Sequence, residues 1–168
     1  AVVTGLRERN FYGTGRSLDV LVNTSDNKNQ FKLITTDRLS YENDADISYS
    51  VNYKQEDFST ASSYKVDTFS SGIGIGYELS KNLYHNIDFE YALKDYKITN
   101  SSTVSNTILN SSGSNVSLLL KNNLLYSTLN RGFLSRTGNY INFNNIIATP
   151  TSSNNGHIKN LITVKKYF

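Results

Sequence analysis

The sequence predicts an all-β fold, an antiparallel transmembrane β-barrel segment of about nine strands with no helix. Three observations predict it. Apolar and polar residues alternate with period two along most of the chain, the pattern of a strand with one apolar and one polar face. No segment sustains an apolar repeat at three and four residues with capping signals, so no helix is expected. A mean hydropathy of −0.42 leaves no run long enough for a membrane helix, yet a membrane barrel accommodates it, because half of each strand faces a polar lumen.

The elements follow in order. Short strands are expected at roughly 2–9, 16–24 and 30–36. Over 44–54 the alternation is without error: Ala45, Ile47, Tyr49, Val51 and Tyr53 oppose Asp46, Ser48, Ser50, Asn52 and Lys54. Over 69–79, Phe69, Ile73, Ile75, Tyr77 and Leu79 share one face, with Gly72, Gly74, Gly76 and Glu78 on the other. The next strand carries Ile87, Phe89, Tyr91 and Leu93 opposite Asp88, Glu90, Ala92 and Lys94. Its parity then slips at Asp95, so that Tyr96 and Ile98 continue the apolar series, which predicts a bulge or the end of the regular strand. Less clean alternation marks 116–126, 140–148 and 158–168. Polar connections at 25–29, 56–63, 99–114 and 149–156 alternate with a second set at 10–15, 37–43, 80–84 and 127–138. The longest, 99–114, is a low-complexity Asn/Ser/Thr stretch that reads as a mobile surface loop.

Composition narrows the function classes. A chain of 168 residues is one domain or part of one, and 38% hydrophobic with 12% aromatic residues is too much for a disordered tail. With no cysteine there is no disulfide framework, thiolate nucleophile or Cys-based zinc site, and two histidines, His85 and His157, make any common zinc site improbable. They read as hairpin-end residues. A net charge of +3 on scattered Lys and Arg gives no footprint for nucleic acid. Because the chain starts at Ala1 and contains no methionine, it reads as a mature or excised piece.

Alternation alone does not separate a soluble barrel or sandwich from a membrane barrel. Two features favour the membrane. Tyr12, Tyr41, Tyr77, Tyr84, Tyr126 and Tyr140 fall at or beside the second set of connections, as an aromatic girdle at one interface requires. The 69–79 strand, at roughly 3.3 Å per residue and a tilt near 40°, rises about 25 Å, the height of the apolar band of such barrels. On that reading Ile47, Tyr49, Val51, Ile73, Ile75, Phe89 and Tyr91 face lipid, and Asp46, Lys54, Asp88 and Glu90 face the lumen.

Motifs of enzyme chemistry do not hold up. Gly13-Thr14-Gly15 lacks the Gly-Lys-Ser/Thr of a phosphate loop, and Gly72, Gly74 and Gly76 lie inside a strand, where missing side chains relieve crowding or let the sheet bend. Asp88 and Glu90 face the same way and suit acid–base work, but such carboxylates more often line a wet lumen. No motif orients a Ser–His–Asp triad. No catalytic, cofactor-binding or metal-binding residue is therefore assigned.

The stretch Gly5-Leu6-Arg7-Glu8-Arg9-Asn10-Phe11-Tyr12-Gly13-Thr14-Gly15-Arg16-Ser17-Leu18 resembles the early barrel segment of the BamA family of outer-membrane assembly factors, where a strand ends in Asn-aromatic/Leu-x-Gly-Thr-Gly before the next strand begins. A second stretch, Leu129-Asn130-Arg131-Gly132-Phe133-Leu134-Ser135-Arg136-Thr137-Gly138, is similar to that family's mid-barrel periplasmic turn. Asn10, Phe11, Gly13, Thr14, Gly15, Arg131, Gly132, Phe133 and Gly138 are the family-motif turn residues. Two departures stand out: Ser135 replaces the family's usual Pro, and Thr35-Thr36-Asp37-Arg38-Leu39 lacks a Pro-aromatic pair. Arg131-Gly132-Phe133 also imitates a Val-Arg-Gly-Phe/Tyr motif from a later inward loop of the family, but Thr137-Gly138 and a new strand follow at the turn's spacing.

The resemblance covers nearly the whole chain. It implies residues 1–168 as part of one barrel domain, about strands two to ten of sixteen, without the periplasmic repeat domains or the closing strands. It implies 10–15, 37–43, 80–84 and 127–138 in the periplasm, the 99–114 loop outside, and a location in the bacterial outer membrane. The implied function is folding and insertion of β-barrel proteins without covalent chemistry or cofactor. The implied partners are outer-membrane lipids and, for the full-length parent, unfolded barrel substrates and periplasmic accessory proteins. Two other readings stay open. A small passive porin or adhesin ending at the aromatic pair Tyr167-Phe168 would have an even strand count, against about nine here. A soluble lipid-binding barrel would turn its Ile/Tyr/Phe face inward around a ligand.

Overall fold

The computed structural model describes residues 1–39, 45–129, 137–151 and 156–167. They form one nine-stranded sheet: β1 (Val2–Glu8), β2 (Ser17–Ser25), β3 (Lys28–Leu39), β4 (Ala45–Asp57), β5 (Tyr64–Ser80), β6 (Leu83–Ile98), β7 (Gly113–Ser127), β8 (Gly138–Thr149) and β9 (His157–Tyr167). Every strand pairs antiparallel with the next in sequence, a pure meander with β1 and β9 at the two edges of the described sheet. The only helices among the described residues are single turns in connections, a 3₁₀ turn at Phe11–Gly13, α1 (Ser59–Ser62) and α2 (Asn106–Asn110).

Strand count and topology agree with the sequence pattern, and the register assigns the faces. Ile47 pairs with Ile75 and Ile75 with Ile87; Tyr49 pairs with Ile73 and Ile73 with Phe89; Val51 pairs with Ser71 and Ser71 with Tyr91. Directly paired residues project to the same side, so the apolar set shares one face. That face is the more exposed: Ile75 is 45% and Phe89 59% accessible, whereas Gly74 and Gly76 opposite are buried. Curvature therefore shelters the polar face and presents the apolar one outward. A soluble lipid-binding barrel has the reverse arrangement. Among the described residues no side chain is completely buried, because the sheet is a single layer with no core beneath it.

Two connections are two-residue hairpins, Asp26-Asn27 between β2 and β3 and Lys81-Asn82 between β5 and β6. Asn82 takes φ 72°, a conformation in which Asn costs less than most residues. The connections alternate between the two ends of the sheet, a short-turn end (9–16, 40–44, 81–82, 128–137) named for the hairpin 81–82 and a long-loop end (26–27, 58–63, 99–112, 150–156) named for the connection 99–112.

The structure corrects the expectation at Asp95. Register runs unbroken through Asp67–Asp95, Val66–Tyr96 and Lys65–Lys97, and the one irregularity in this pairing lies between Glu78 and Ser80. What changes at Asp95 is the surroundings. Beyond Phe69 and Leu93 the outer face becomes Lys65, Asp67, Asp95 and Lys97, while the inner face becomes Tyr64, Val66, Thr68 and Tyr96. Lys97 Nζ lies 2.6 Å from Asp67 Oδ2 and 3.8 Å from Asp95 Oδ2. The β5–β6 ribbon thus leaves the apolar band: its outer face meets water, and its inner face packs, with Val66 and Ala92 buried. The inversion also explains why β5 begins at Tyr64 rather than at 69.

The 99–112 connection makes contacts that its composition does not announce. Thr99 and Asn100 N–H donate to the Ser63 carbonyl at 2.9 and 3.4 Å, Ser63 and Thr103 hydroxyls meet at 2.6 Å, and Val104 is buried. The Ser105 hydroxyl caps α2 by accepting from Ile108 N–H. Ser63 thereby joins the 58–63 and 99–112 connections to each other.

Candidate functional site

The motif turn after β1 is built from its own residues. Asn10 Oδ1 accepts from Gly15 N–H at 2.7 Å and its carbonyl from Gly13 N–H at 3.0 Å. Phe11 N–H donates to the Arg16 carbonyl at 2.8 Å, and the Phe11 carbonyl accepts from the Thr14 hydroxyl at 2.6 Å. This is an Asx-held turn, in which a side-chain amide does the work of a backbone partner. Gly13 and Gly15 sit at φ 72° and 77°, where a side chain is strained. Thus Asn10, Phe11, Gly13, Thr14 and Gly15 act locally, fixing the angle at which the chain enters β2. At the other motif, Gly138 has φ 123°, and a Cβ there would lie 2.5 Å from the Thr128 carbonyl oxygen, so only glycine fits. Arg131, Gly132 and Phe133 lie outside the described residues.

The inner face is a polar wall. Glu90 meets Lys121 Nζ at 2.5 Å, Asp88 accepts from Asn86 Nδ2 at 2.5 Å, Lys54 lies 2.7 Å from Glu56, and Arg7 pairs with Asp19. Gln30 Nε2 donates to Asn52 Oδ1 at 2.8 Å, and Asn123 bridges Asn142 and Asn144. Of these, Gln30, Asn52, Asp88, Glu90 and Lys121 border an open groove of about 380 Å³ on the inner face of β3–β7. The glycine stripe is what lets the larger side chains lie flat. A Cβ on Gly74 would fall 2.1 Å from Asp88 Oδ1, and one on Gly76 1.9 Å from Tyr84 Oη. Asp88 and Glu90 are each tied to a polar neighbour on the inner face. Among the described residues no group of three or more His, Asp or Glu side chains comes together to hold a metal.

The ends differ from expectation in one respect. Of the proposed girdle, Tyr77 and Tyr126 face outward, through pairing with Ile47's neighbour Ala45 and with Leu83. Tyr84 and Tyr140 face the lumen, the first over Gly76 and the second beneath Lys165 Nζ at 5.6 Å from its ring. Tyr41 lies outside the described residues. His85 is near the hairpin, with Nδ1 2.9 Å from Tyr77 Oη, and His157 opens β9. At the opposite end Asp57 holds Lys65 at 2.7 Å and the Ser59 N–H at 2.9 Å, which lowers its carboxyl from 3.8 to about 2.

A single antiparallel layer with an exposed apolar outer face, a polar inner face and charged extensions beyond the band is the wall of an outer-membrane β-barrel. The comparisons agree with that class. Residues 10–168 match the Omp85 superfamily domain, and the chain belongs to that superfamily of bacterial outer-membrane proteins. Among solved structures it is similar to BamA from Haemophilus ducreyi lacking POTRA domains 1-3, with a TM-score of 0.70 at 18% identity. That match covers 90% of this chain and 31% of the other, so the chain spans about a third of the length of that protein. No curated protein sequence matches.

Proposed function

We propose that this chain is part of the barrel wall of an outer-membrane assembly factor that folds and inserts other β-barrel proteins. The observation that carries the reading is the superfamily match over residues 10–168, which begins at the Asx-held turn of Asn10. On this reading the nine strands are about the second to the tenth of sixteen, the short-turn end lies in the periplasm and the long-loop end outside. The turn residues Asn10, Phe11, Gly13, Thr14, Gly15, Arg131, Gly132, Phe133 and Gly138 shape the periplasmic rim.

The work is non-covalent. An incoming strand pairs with an exposed sheet edge, whose unpaired N–H and C=O groups template it. Inside hydrocarbon every other backbone group has to be paired already. Continuous pairing from β1 to β9 supplies part of that remainder, so this segment holds the shape while a seam elsewhere in the parent opens. Partners of the parent are unfolded barrel substrates and periplasmic accessory proteins, and this segment itself contacts outer-membrane lipid.

Depletion of the full-length parent in its host tests the proposal. Unrelated outer-membrane barrels should fall in amount while their unfolded precursors accumulate in the periplasm. Normal barrel levels with altered solute uptake alone would point instead to a passive porin.

A further inference from the structure

The outer face of β7, β8 and β9 carries a polar row inside its apolar band. Asn122 pairs with Asn145, and Asn145 with Asn160, so three asparagines stand side by side on neighbouring strands. They face outward, because Asn122 also pairs with Ile87, which continues to Ile75 and Ile47. One cross-strand row is therefore isoleucine on β4–β6 and asparagine on β7–β9. Each asparagine is bracketed on its own strand by outward apolar residues: Leu120 and Leu124, Phe143 and Ile147, Ile158 and Ile162. Asn122 lies four residues from the outward Tyr126, about 10 Å along the membrane normal for a tilted strand. Asn122 and Asn145 are inside the hydrocarbon-facing band, and Asn160 lies near its long-loop rim, three residues from the start of β9.

The amides form a ladder. Asn122 Nδ2 donates to Asn145 Oδ1 at 3.3 Å, and Asn145 Nδ2 to Asn160 Oδ1 at 2.7 Å. A carboxamide offers two N–H groups and a two-lone-pair oxygen. Among the described residues the ladder leaves Asn122 Oδ1, the second N–H of Asn122 and Asn145, and both N–H groups of Asn160 without a partner. A strand beside β9 can satisfy Asn160 but does not reach Asn122. Acyl chains satisfy none of them.

We infer that the outer face of β7–β9 docks a second copy of the same protein through this row. An uncharged carboxamide is donor and acceptor at once, so the row is complementary to itself. Where an identical row, related by a two-fold axis along the membrane normal, crosses this one at Asn145, the free N–H of each Asn145 meets an amide oxygen of the other copy, as intramembrane polar side chains do between helices. A charged row would repel its copy. Asn122 lies toward the short-turn end of β7 and Asn160 toward the long-loop end of β9, so the row climbs across the strands. Two such rows facing each other cross at Asn145, with Phe143 and Ile147 forming an apolar rim around the crossing.

The test uses the full-length parent in its own outer membrane, in a cysteine-free background. Single cysteines replace Ile147, beside the row, or Ile73, on the outer face of β5, and are oxidised with copper-phenanthroline. Ile147→Cys should give a dimer-sized band on non-reducing gels and Ile73→Cys little or none. Adding Asn145→Leu should cut the dimer yield about fivefold or more, the scale of one or two lost intramembrane hydrogen bonds, and Asn145→Gln should retain it. Unchanged heat-modifiability shows that each variant is folded. Equal yields at the two positions, an adduct of another protein's mass, no adduct at Ile147, or full dimerisation of the Asn145→Leu variant would each overturn the inference.

Discussion

Replacing Ile75 by Arg is the sharpest test of the assignment of faces. Ile75 projects from the outer face, with Ile47 and Ile87 beside it and Ile73 and Tyr77 along its strand. The outward apolar run on β5 extends from Phe69 to Leu79 and centres on Gly74, so Ile73 and Ile75 bracket the bilayer midplane. An arginine on the lipid face at that depth costs about 2–4 kcal/mol. That raises the unfolded-to-folded ratio by about thirtyfold to several hundredfold. Ser50 projects from the opposite face into the groove it shares with Lys32 and Glu90, where water and a carboxylate receive a new ammonium group. Ser50→Lys should therefore shift stability by about 0.5 kcal/mol or less. The assay is urea titration of the parent barrel in lipid vesicles, with the folded fraction read by heat-modifiability on gels. Equal losses at the two positions, or a larger loss at Ser50, would refute the assignment.

Three further outcomes follow from the geometry. With single cysteines at Ser112 and Lys81 in the full-length parent, an impermeant maleimide on intact cells should label Ser112 only; labelling confined to Lys81 would invert the topology. Gly76→Ala should destabilise by about 1–3 kcal/mol through overpacking against Tyr84, and in a double-mutant cycle with Tyr84→Ala the losses should be non-additive by about 1 kcal/mol; additive losses would separate the two residues. The Asp57 carboxyl titrates at about 2 when folded against an ordinary 3.8, so its contribution is present above the ordinary value and is lost as pH falls through about 2. Pepsin cleavage of the 58–63 loop should then rise toward pH 2, a dependence that Asp57→Asn should flatten.

Legibility followed the physics of each face. The faces of β4 were readable because its inward Asp46, Ser48, Ser50, Asn52 and Lys54 line the lumen and its outward apolar residues lie in the band, while its polar extension to Asp57, beyond the predicted end at 54, carried no apolar alternation. The β5–β6 ribbon misled at Asp95 because a strand leaving the bilayer inverts its amphipathicity without changing register. β7–β9 alternated poorly because Asn122, Asn145 and Asn160 face outward while Leu119, Ile146 and Leu161 face the lumen. That outward row was available in the sequence as asparagines at lipid-facing parity, but only register brings them together. The contacts of 99–112 were hidden because polar composition carries no signal for pairing with Ser63, thirty-six residues earlier than Thr99. The turn motif was legible by resemblance, and its physical basis, the Asn10 amide on Gly15 N–H, emerged only from geometry.

The claim at the centre is that this segment is the static wall of a machine that accelerates barrel folding. The most direct measurement reconstitutes the full-length parent and, separately, the 168-residue chain in liposomes, then follows folding of a denatured barrel substrate by heat-modifiability. The parent should accelerate folding over empty liposomes and the isolated wall should not, because its two edges are not the seam. No acceleration by the parent, or acceleration by the wall comparable to the parent's, would contradict the account.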